Sequence, residues 1–230
     1  MRAMGIDVSV ARGLDVVVLD ETGRLVLACA RQTLSQLEAA LLEVRPDIVA
    51  IDSPPGWAGS GRSRPLERQL ARLGISMYAT PQDPGDHKFY RWMSVGFDVF
   101  AAACRSGYPL YRGDSEVRGR AVEVFPHASA VMLRGCLPGR GVPKATWRRQ
   151  ALADARVEHD ALRTVDQLDA ALAALTGIRC LQGRFCVVGV EGEGVLALPV
   201  PTLPARRFER DRRPTSSRLL RDGELTETGS

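Results

Sequence analysis

The order of extended and helical segments near the start of the chain constrains the fold more than any other feature of this sequence. Three apolar segments with strand-like patterns come first, at residues 2–9, 14–20 and 24–30. The turn between the second and the third, Asp20-Glu21-Thr22-Gly23, suits a β-hairpin because glycine accepts a positive φ. The sequence therefore predicts that three antiparallel strands open the protein.

A helix and a fourth strand follow these segments. Thr33 and Gln36 have the spacing of a capping box, and leucines recur at helical spacing until Pro46 ends the helix. Residues 47–52 are strand-forming again and finish in the carboxylate of Asp52. Because a helical connection brings the chain back to the start of the sheet, the fourth strand is expected to run parallel to the first.

The next part of the chain indicates more helices and strands around the same sheet. Residues 53–118 combine a loop rich in Pro, Gly and Ser with two helical segments, which we expect to form a helical insertion covering one edge of the core. Later segments are predicted as a strand at 119–125, helices at 127–133, 145–156 and from 164, and a hairpin within 184–200 that turns at 191–194. Gly177 is expected near the end of the last helix.

These elements predict an α/β fold with a mixed sheet, in which three antiparallel strands precede parallel strands joined through helices. One domain is expected over residues 1–201, with the helical insertion and the C-terminal hairpin as its parts. Residues 202–230 are rich in arginine and poor in large apolar side chains, so we expect a flexible tail. The alternative for this tail is an arm that grips nucleic acid.

Composition limits the class of protein and its location. With 45% hydrophobic and 25% charged residues, the chain has the make-up of a globular protein. We expect a cytoplasmic protein without a membrane span, because no apolar run reaches ~18 residues and the start lacks a signal-peptide pattern. The five cysteines show neither CxxC nor zinc-ligand spacing. A net charge of +4 permits an anionic partner such as nucleic acid without requiring one.

Three carboxylates lie within segments whose other residues predict buried strands. Asp7 lies within the first strand, Asp52 ends the fourth, and Glu123 lies within the fifth. If the first and fourth strands are parallel neighbours, Asp7 and Asp52 project close together at one end of the sheet. Two adjacent carboxylates repel each other and lose hydration, and a divalent cation such as Mg²⁺ or Mn²⁺ between them would offset both effects.

The last helix carries two more acids, Asp166 and Asp169. At ~100° per residue, Asp169 falls on the shoulder of the apolar stripe and Asp166 points further towards solvent. We therefore expect Asp169 to lean over the sheet edge. Each acid alone also has a structural explanation, such as a turn, an outward strand position, the helix dipole or an ion pair with arginine. Only the joint pattern indicates a site.

Basic side chains near the acids have two interpretations. Arg64 and Arg68 lie around the first helix of the insertion, where they would line an anionic groove or form a solvated basic face. His127 would contact a phosphate, assist proton transfer or act as a polar group at a helix start. The glycines at 59–61 lack the following Lys and Ser/Thr of a phosphate loop.

Several segments occur in the order of a known family. They are GIDVS at 5–9, AIDSPPG at 50–56, RPLERQLARLGI at 64–75, VEVFPHAS at 122–129, VDQLDAALAALTG at 165–177 and EGEGVLALPV at 191–200. Over about residues 2–200 the chain resembles a family of uncharacterised predicted nucleases with a ribonuclease-H-like fold, domain of unknown function 429. Leu66 departs from the pattern, since a small residue or cysteine is expected there.

The resemblance implies a set of site residues. Asp7, Asp52 and Asp169 would be the metal-binding carboxylates, with Glu123 and Asp166 as further catalytic acids. Glu67 and Arg68 match an acidic–arginine pair, and Lys144 matches a basic position after the fifth-strand motif. Arg64, Arg68 and Lys144 are accordingly the candidates for contacting the phosphates of the substrate.

These observations favour a metal-dependent nuclease. In this hypothesis Asp7 bridges two Mg²⁺ or Mn²⁺ ions, and Asp52 and Asp169 complete the two sites. The alternative is a non-catalytic module on the same fold that binds nucleic acid or protein. A sugar kinase or related ATPase is disfavoured, because the chain has neither a second copy of the fold nor phosphate-binding glycine loops.

Overall fold

One mixed sheet organises the residues that the computed structural model describes, 1–113, 116–190 and 193–212. Its seven strands are β1 (Arg2–Ser9), β2 (Gly13–Asp20), β3 (Leu25–Gln32), β4 (Ile48–Asp52), β5 (Ala121–Val124), β6 (Cys186–Val190) and β7 (Gly194–Leu198). They lie in the order β3-β2-β1-β4-β5-β7-β6. Strand β2 is antiparallel to both β1 and β3. Strands β4, β5 and β7 continue the sheet parallel to β1, and β6 closes the far edge antiparallel to β7. This is a ribonuclease-H-like arrangement, and the predicted fold class is confirmed.

Helices cover both faces of this sheet. They are α1 (Leu34–Val44), α2 (Pro65–Arg72), α3 (Arg91–Arg105), α4 (Pro126–Arg134), α5 (Lys144–Asp154) and α6 (Val165–Leu181). One apolar core packs α6, α5 and α4 against the sheet, and a second packs α1 and α3 on the opposite face. Because both faces are covered, β4 is apolar at each of its first four positions and carries a charge only where it ends.

The helix α6 is the element that determines what lies over the carboxyl ends of β1 and β4. It packs so closely on β1 that a Cβ atom at Gly5 would lie 2.0 Å from the carbonyl oxygen of Ala170. Gly177 is a second close approach, where an added Cβ would lie 3.0 Å from the Cβ of Ala3. The expectation that Gly177 lies near the helix end is therefore corrected, because α6 continues to Leu181 and the glycine provides room for the sheet.

The segment expected as a helical insertion contains α2, a short 3₁₀ helix at Lys88–Tyr90 and α3. The second of the two predicted helical segments is thus divided into the 3₁₀ helix and an α-helix that begins at Arg91. Helix α3 packs against the sheet through Val99 and Phe100, so this part of the insertion contributes to the core. Treating residues 53–118 as an insertion into one domain stays a prediction.

The described part of the arginine-rich tail contacts the domain. The backbone N–H of Leu137 donates to Glu209, that of Asp211 donates back to Leu137, and Phe208 packs on the core around α2. The flexible tail over 202–230 stays a prediction, because 213–230 lie outside the described residues, as do Glu191 and Gly192 of the predicted hairpin turn. Among the described residues, no helix is long and apolar enough to cross a membrane.

Candidate functional site

Three carboxylates converge where β1 and β4 end. The parallel register places Asp7 opposite Asp52, as the sequence predicted for neighbouring parallel strands. Strand side chains alternate between faces, so Asp7 points to the same face as Ala3 and Gly5, the face that α6 covers. Asp169 of α6 is buried there, and one oxygen from each of the three acids lies within 4.8 Å of the others. The structure thus brings together Asp7, Asp52 and Asp169.

The three acids strongly affect one another. Loss of hydration, followed by repulsion from Asp52, Asp169 and Asp166, raises the pKa of Asp7 from 3.8 to about 10. Burial and then repulsion from Asp169 raise the pKa of Asp52 to about 8, against the opposing effects of nearby cations. Near neutral pH, the metal-free site therefore keeps protons that ordinary aspartates release. A divalent cation can replace these protons, because it stabilises the ionised carboxylates.

Both carboxylate oxygens of Asp169 are bonded to cations of α5. The Nε of Arg148 donates to Oδ1 at 2.5 Å, and the Nζ of Lys144 lies 2.6 Å from Oδ2. Lys144 is one turn before Arg148, so the two side chains share a helix face. The side chain of Arg148 is only 3% exposed, whereas that of Lys144 is 57% exposed and can reach a ligand. Arg148 was not predicted, and its spacing from Lys144 is the signal that could have found it.

His127 supports this arrangement from α4. Its Nδ1 accepts a hydrogen bond from Nη1 of Arg148 at 3.1 Å, since a guanidinium can only donate. Burial, together with the positive charge of Arg148, lowers the pKa of His127 to about 4. The imidazole is therefore neutral near neutral pH and orients Arg148, which in turn holds Asp169.

Asp166 lies beside the three-acid cluster rather than in it. Its Oδ2 is 3.0 Å from Nη2 of Arg12, which is in the turn between β1 and β2. Its charge still contributes to the raised pKa of Asp7. The expectation that Asp166 points towards solvent is corrected by this ion pair, which leaves its side chain 14% exposed.

Glu123 and Arg64 occupy positions that the sequence interpretation did not foresee. The guanidinium of Arg64 forms two hydrogen bonds with the Glu123 carboxylate, at 2.8 and 2.6 Å, and a third with Glu67 at 3.1 Å. The side chains of Arg64 and Glu123 are 1% and 2% exposed. Arg64 is therefore not placed to contact a phosphate, and Glu123 is already neutralised by Arg64. The physical reason is that the residue preceding α2 points into the core under β5, not towards the solvated face of the helix.

Two cavities adjoin the carboxylates. An open groove of about 490 Å³ runs past Asp7 and Asp166, and four cationic side chains line it: Arg12, Lys88, Arg91 and Lys144. An apolar pocket of about 300 Å³ opens on the other side, with Asp52 and Lys144 in its wall. Arg68 lines neither cavity, and its guanidinium donates to Ser63. Of the predicted phosphate contacts, only Lys144 lies at these cavities.

Comparison with known proteins gives a family and a distant structural likeness. The family model described as "Protein of unknown function (DUF429)" matches residues 5–193. Among curated proteins, no match was found. The structure of Thermus thermophilus RuvC matches with a TM-score of 0.44 and 20% identity, covering 80% of this chain and 97% of that chain. T. thermophilus RuvC in complex with a Holliday junction substrate matches with a TM-score of 0.41, 19% identity and the same coverage. A likeness this distant assigns neither an activity nor a substrate to this chain.

Proposed function

Since the chain belongs to the family described as Protein of unknown function (DUF429), which names no activity, we propose from the site itself that it is a divalent-metal-dependent nuclease. The observation that carries this proposal is the convergence of Asp7, Asp52 and Asp169 within 4.8 Å beside a groove lined by cations. Carboxylates that hold a metal and cations that hold phosphates are the two components needed to hydrolyse a phosphodiester bond.

The donor set fits Mg²⁺ or Mn²⁺. All three donors are carboxylate oxygens, which these hard cations prefer. Burial and then repulsion between the acids raise the pKa values of Asp7 and Asp52, and a bound divalent cation would offset both effects. Asp7, Asp52 and Asp169 would hold the metal. When bound, the metal would lower the pKa of a water molecule and neutralise charge on the phosphate.

The other residues have positioning and binding roles in this proposal. Arg148 and His127 hold the Asp169 carboxylate in one orientation, because each is bonded to the next. The exposed side chains of Lys88 and Arg91 line the groove and would contact phosphates on either side of the reacting bond. Asp166 keeps Arg12 at the groove through their ion pair.

Lys144 gives a prediction that separates metal binding from turnover. In Lys144→Gln, the ammonium no longer competes for Oδ2 of Asp169, so the affinity for Mn²⁺ should rise. Cleavage should nevertheless fall, by about 10²-fold or more, because a cation that stabilises phosphate charge is lost. Calorimetry with Mn²⁺ and initial cleavage rates measure the two effects. The control is Arg140→Gln, which removes a positive charge from an exposed loop. A lower or unchanged Mn²⁺ affinity in Lys144→Gln would contradict this role.

A second candidate function is a non-catalytic module that binds nucleic acid. The observation that favours it is the double ion pair of Asp169 with Lys144 and Arg148, which already supplies positive charge to the acids without a metal. Such a module would bind through the same groove, and its binding would not require Mn²⁺.

The experiment that separates these candidates is a cleavage assay. Purified protein is incubated with single-stranded and double-stranded DNA and RNA in Mn²⁺, in Mg²⁺ and in EDTA. We expect cleavage only with a divalent metal, and its reduction to background in Asp52→Asn. Asp98→Asn, on the exposed face of α3, is the matched control and should cleave normally. Binding without cleavage on every substrate and with either metal would reject the nuclease and support the module.

A further inference from the structure

We propose that the apolar pocket beside Asp52 binds one unstacked nucleobase of the nucleic acid whose phosphate lies at the carboxylates. This inference rests on the proposed function for the location of the phosphate. It adds a binding site for the base and thereby a substrate class, single-stranded or locally unpaired nucleic acid.

Aromatic side chains form the outer wall of the pocket. Tyr78, Phe89 and Trp92 line it, with ring centroids 4.9 Å apart for Tyr78–Phe89 and 6.3 Å apart for Tyr78–Trp92. Tyr78 is 65% exposed and Phe89 is 40% exposed, so both rings are accessible to a ligand at the entrance. An aromatic face exposed in this way stacks on a base of any sequence, and the cavity volume is that of a small-ligand site.

The position of the pocket favours a ligand that joins an aromatic ring to an anion. Asp52 and Lys144 belong to the pocket wall as well as to the metal cluster or its ion pairs. A group that stacks on the exposed aromatic rings therefore lies close to a ligand at the carboxylates, so that one molecule can occupy both places. A nucleotide has this combination, with a planar base on one side of the sugar and a phosphate on the other.

Thr80 supplies an independent indication of a polar partner. It lines the pocket, it is 1% exposed, and its hydroxyl has no hydrogen-bond partner among the described residues. Its backbone N–H donates to Glu67, which fixes the position of the residue. A buried hydroxyl without a partner is unfavourable, and the edge of a base offers both donors and acceptors. An aliphatic or lipid chain would fill the pocket but leave this hydroxyl unbonded, so the nucleobase is the better occupant.

The substrate class follows from this occupant. A base inside a continuous duplex is stacked and paired on both sides and cannot enter a pocket of this kind without being extruded. Single strands, ends and unpaired positions present the base at little cost. Preference for such substrates is accordingly expected of the wild-type protein.

The experiment compares binding to two oligonucleotides by calorimetry in EDTA, where no cleavage occurs. One is a short oligothymidylate and the other is its abasic counterpart, with the same length and charge. The wild type should bind the oligothymidylate about 5- to 100-fold more tightly, the range expected for stacking one base. Tyr78→Ala and Thr80→Val should reduce this ratio without changing the affinity for the abasic strand. Tyr78→Phe should retain it, as should Leu42→Ala, an exposed apolar position on α1.

The possible results distinguish this inference from the proposed function. Three results would overturn the proposed base site: equal affinity for the two oligonucleotides, no binding of either, or an unchanged affinity ratio in folded Tyr78→Ala. If the ratio is as expected but Mn²⁺ produces no cleavage, the base site stands and the nuclease is rejected. If Mn²⁺ produces cleavage but the ratio is one, the nuclease stands and the base site is rejected.

Discussion

Asp7→Asn is expected to abolish the stabilisation that Mn²⁺ gives the folded protein and, without metal, to make the protein more stable than the wild type at alkaline pH. The substitution removes one of three metal ligands, so the remaining two acids should bind Mn²⁺ weakly. It also removes the repulsion that Asp7 and Asp52 exert on each other when both are ionised. One change should thus eliminate the effect of the metal and relieve the strain that the metal offsets.

The pH dependence gives this prediction a definite sign. The pKa of Asp7 rises from 3.8 to about 10 on folding, and that of Asp52 rises to about 8. Between the ordinary value and these raised values, the folded protein holds more protons than the unfolded chain. The metal-free wild type should therefore lose stability as pH rises through this interval. In Asp7→Asn the loss should be smaller, because one titrating group is absent and Asp52 has lost a repulsive neighbour.

Thermal unfolding measures both parts of the prediction. Midpoints for wild type and Asp7→Asn are compared from about pH 5 to about pH 8, in EDTA and in Mn²⁺. Asp98→Asn serves as the control, since its carboxylate is exposed on α3 and remote from the cluster. The interpretation of these acids as a metal site would be wrong if Mn²⁺ raised the midpoint of Asp7→Asn as much as that of the wild type.

The sequence was sufficient to predict how the central acids meet. Parallel pairing of β1 with β4 follows from the helical connection and brings Asp7 and Asp52 to the same end of the sheet. The observed register then places them opposite each other on one face. The phase of Asp169 on its helix follows from the apolar stripe of α6. These inferences succeed because each depends on the local geometry of one element and on a single connection.

The surroundings of the acids could not be predicted in the same way. The bond from Arg148 to Asp169 depends on how α5 and α6 pack, which no local pattern specifies. The groove cations come from two separate segments, Arg12 from the turn after β1 and Lys88 with Arg91 from the start of the α3 region, and their proximity depends on the whole fold. A glycine such as Gly177 is typical of a helix end, but here its lack of a side chain permits close packing against β1.

Arg64 shows most clearly why a basic helix is ambiguous. A run of arginines around α2 predicted a solvated or phosphate-binding face, yet Arg64 is directed inward to Glu123. The informative feature was Glu123 itself, a charge in a strand whose four residues are all buried. A buried carboxylate requires a cation, and the sequence does not indicate which arginine provides it.

Arg64→Met is expected to destabilise the protein by about 3–5 kcal/mol, because it leaves the buried carboxylates of Glu67 and Glu123 without their cation. Glu123→Gln should be milder, since Arg64 then remains paired with Glu67. The sign of the pH effect follows from burial, which raises the pKa of Glu123. Without Arg64 this carboxyl should stay protonated to higher pH, so the deficit of Arg64→Met should grow as pH rises and shrink in acid.

Denaturant unfolding at several pH values measures these differences, and Arg72→Met, an exposed arginine at the end of the same helix, is the matched control. A structural role also predicts that Glu123→Gln, at temperatures where it is folded, keeps the stabilisation by Mn²⁺, because Glu123 is not one of the three clustered ligands. If Arg64→Met instead unfolded like the wild type but bound oligonucleotides poorly, these residues would act on the substrate. The buried ion pair would then have to open when nucleic acid binds.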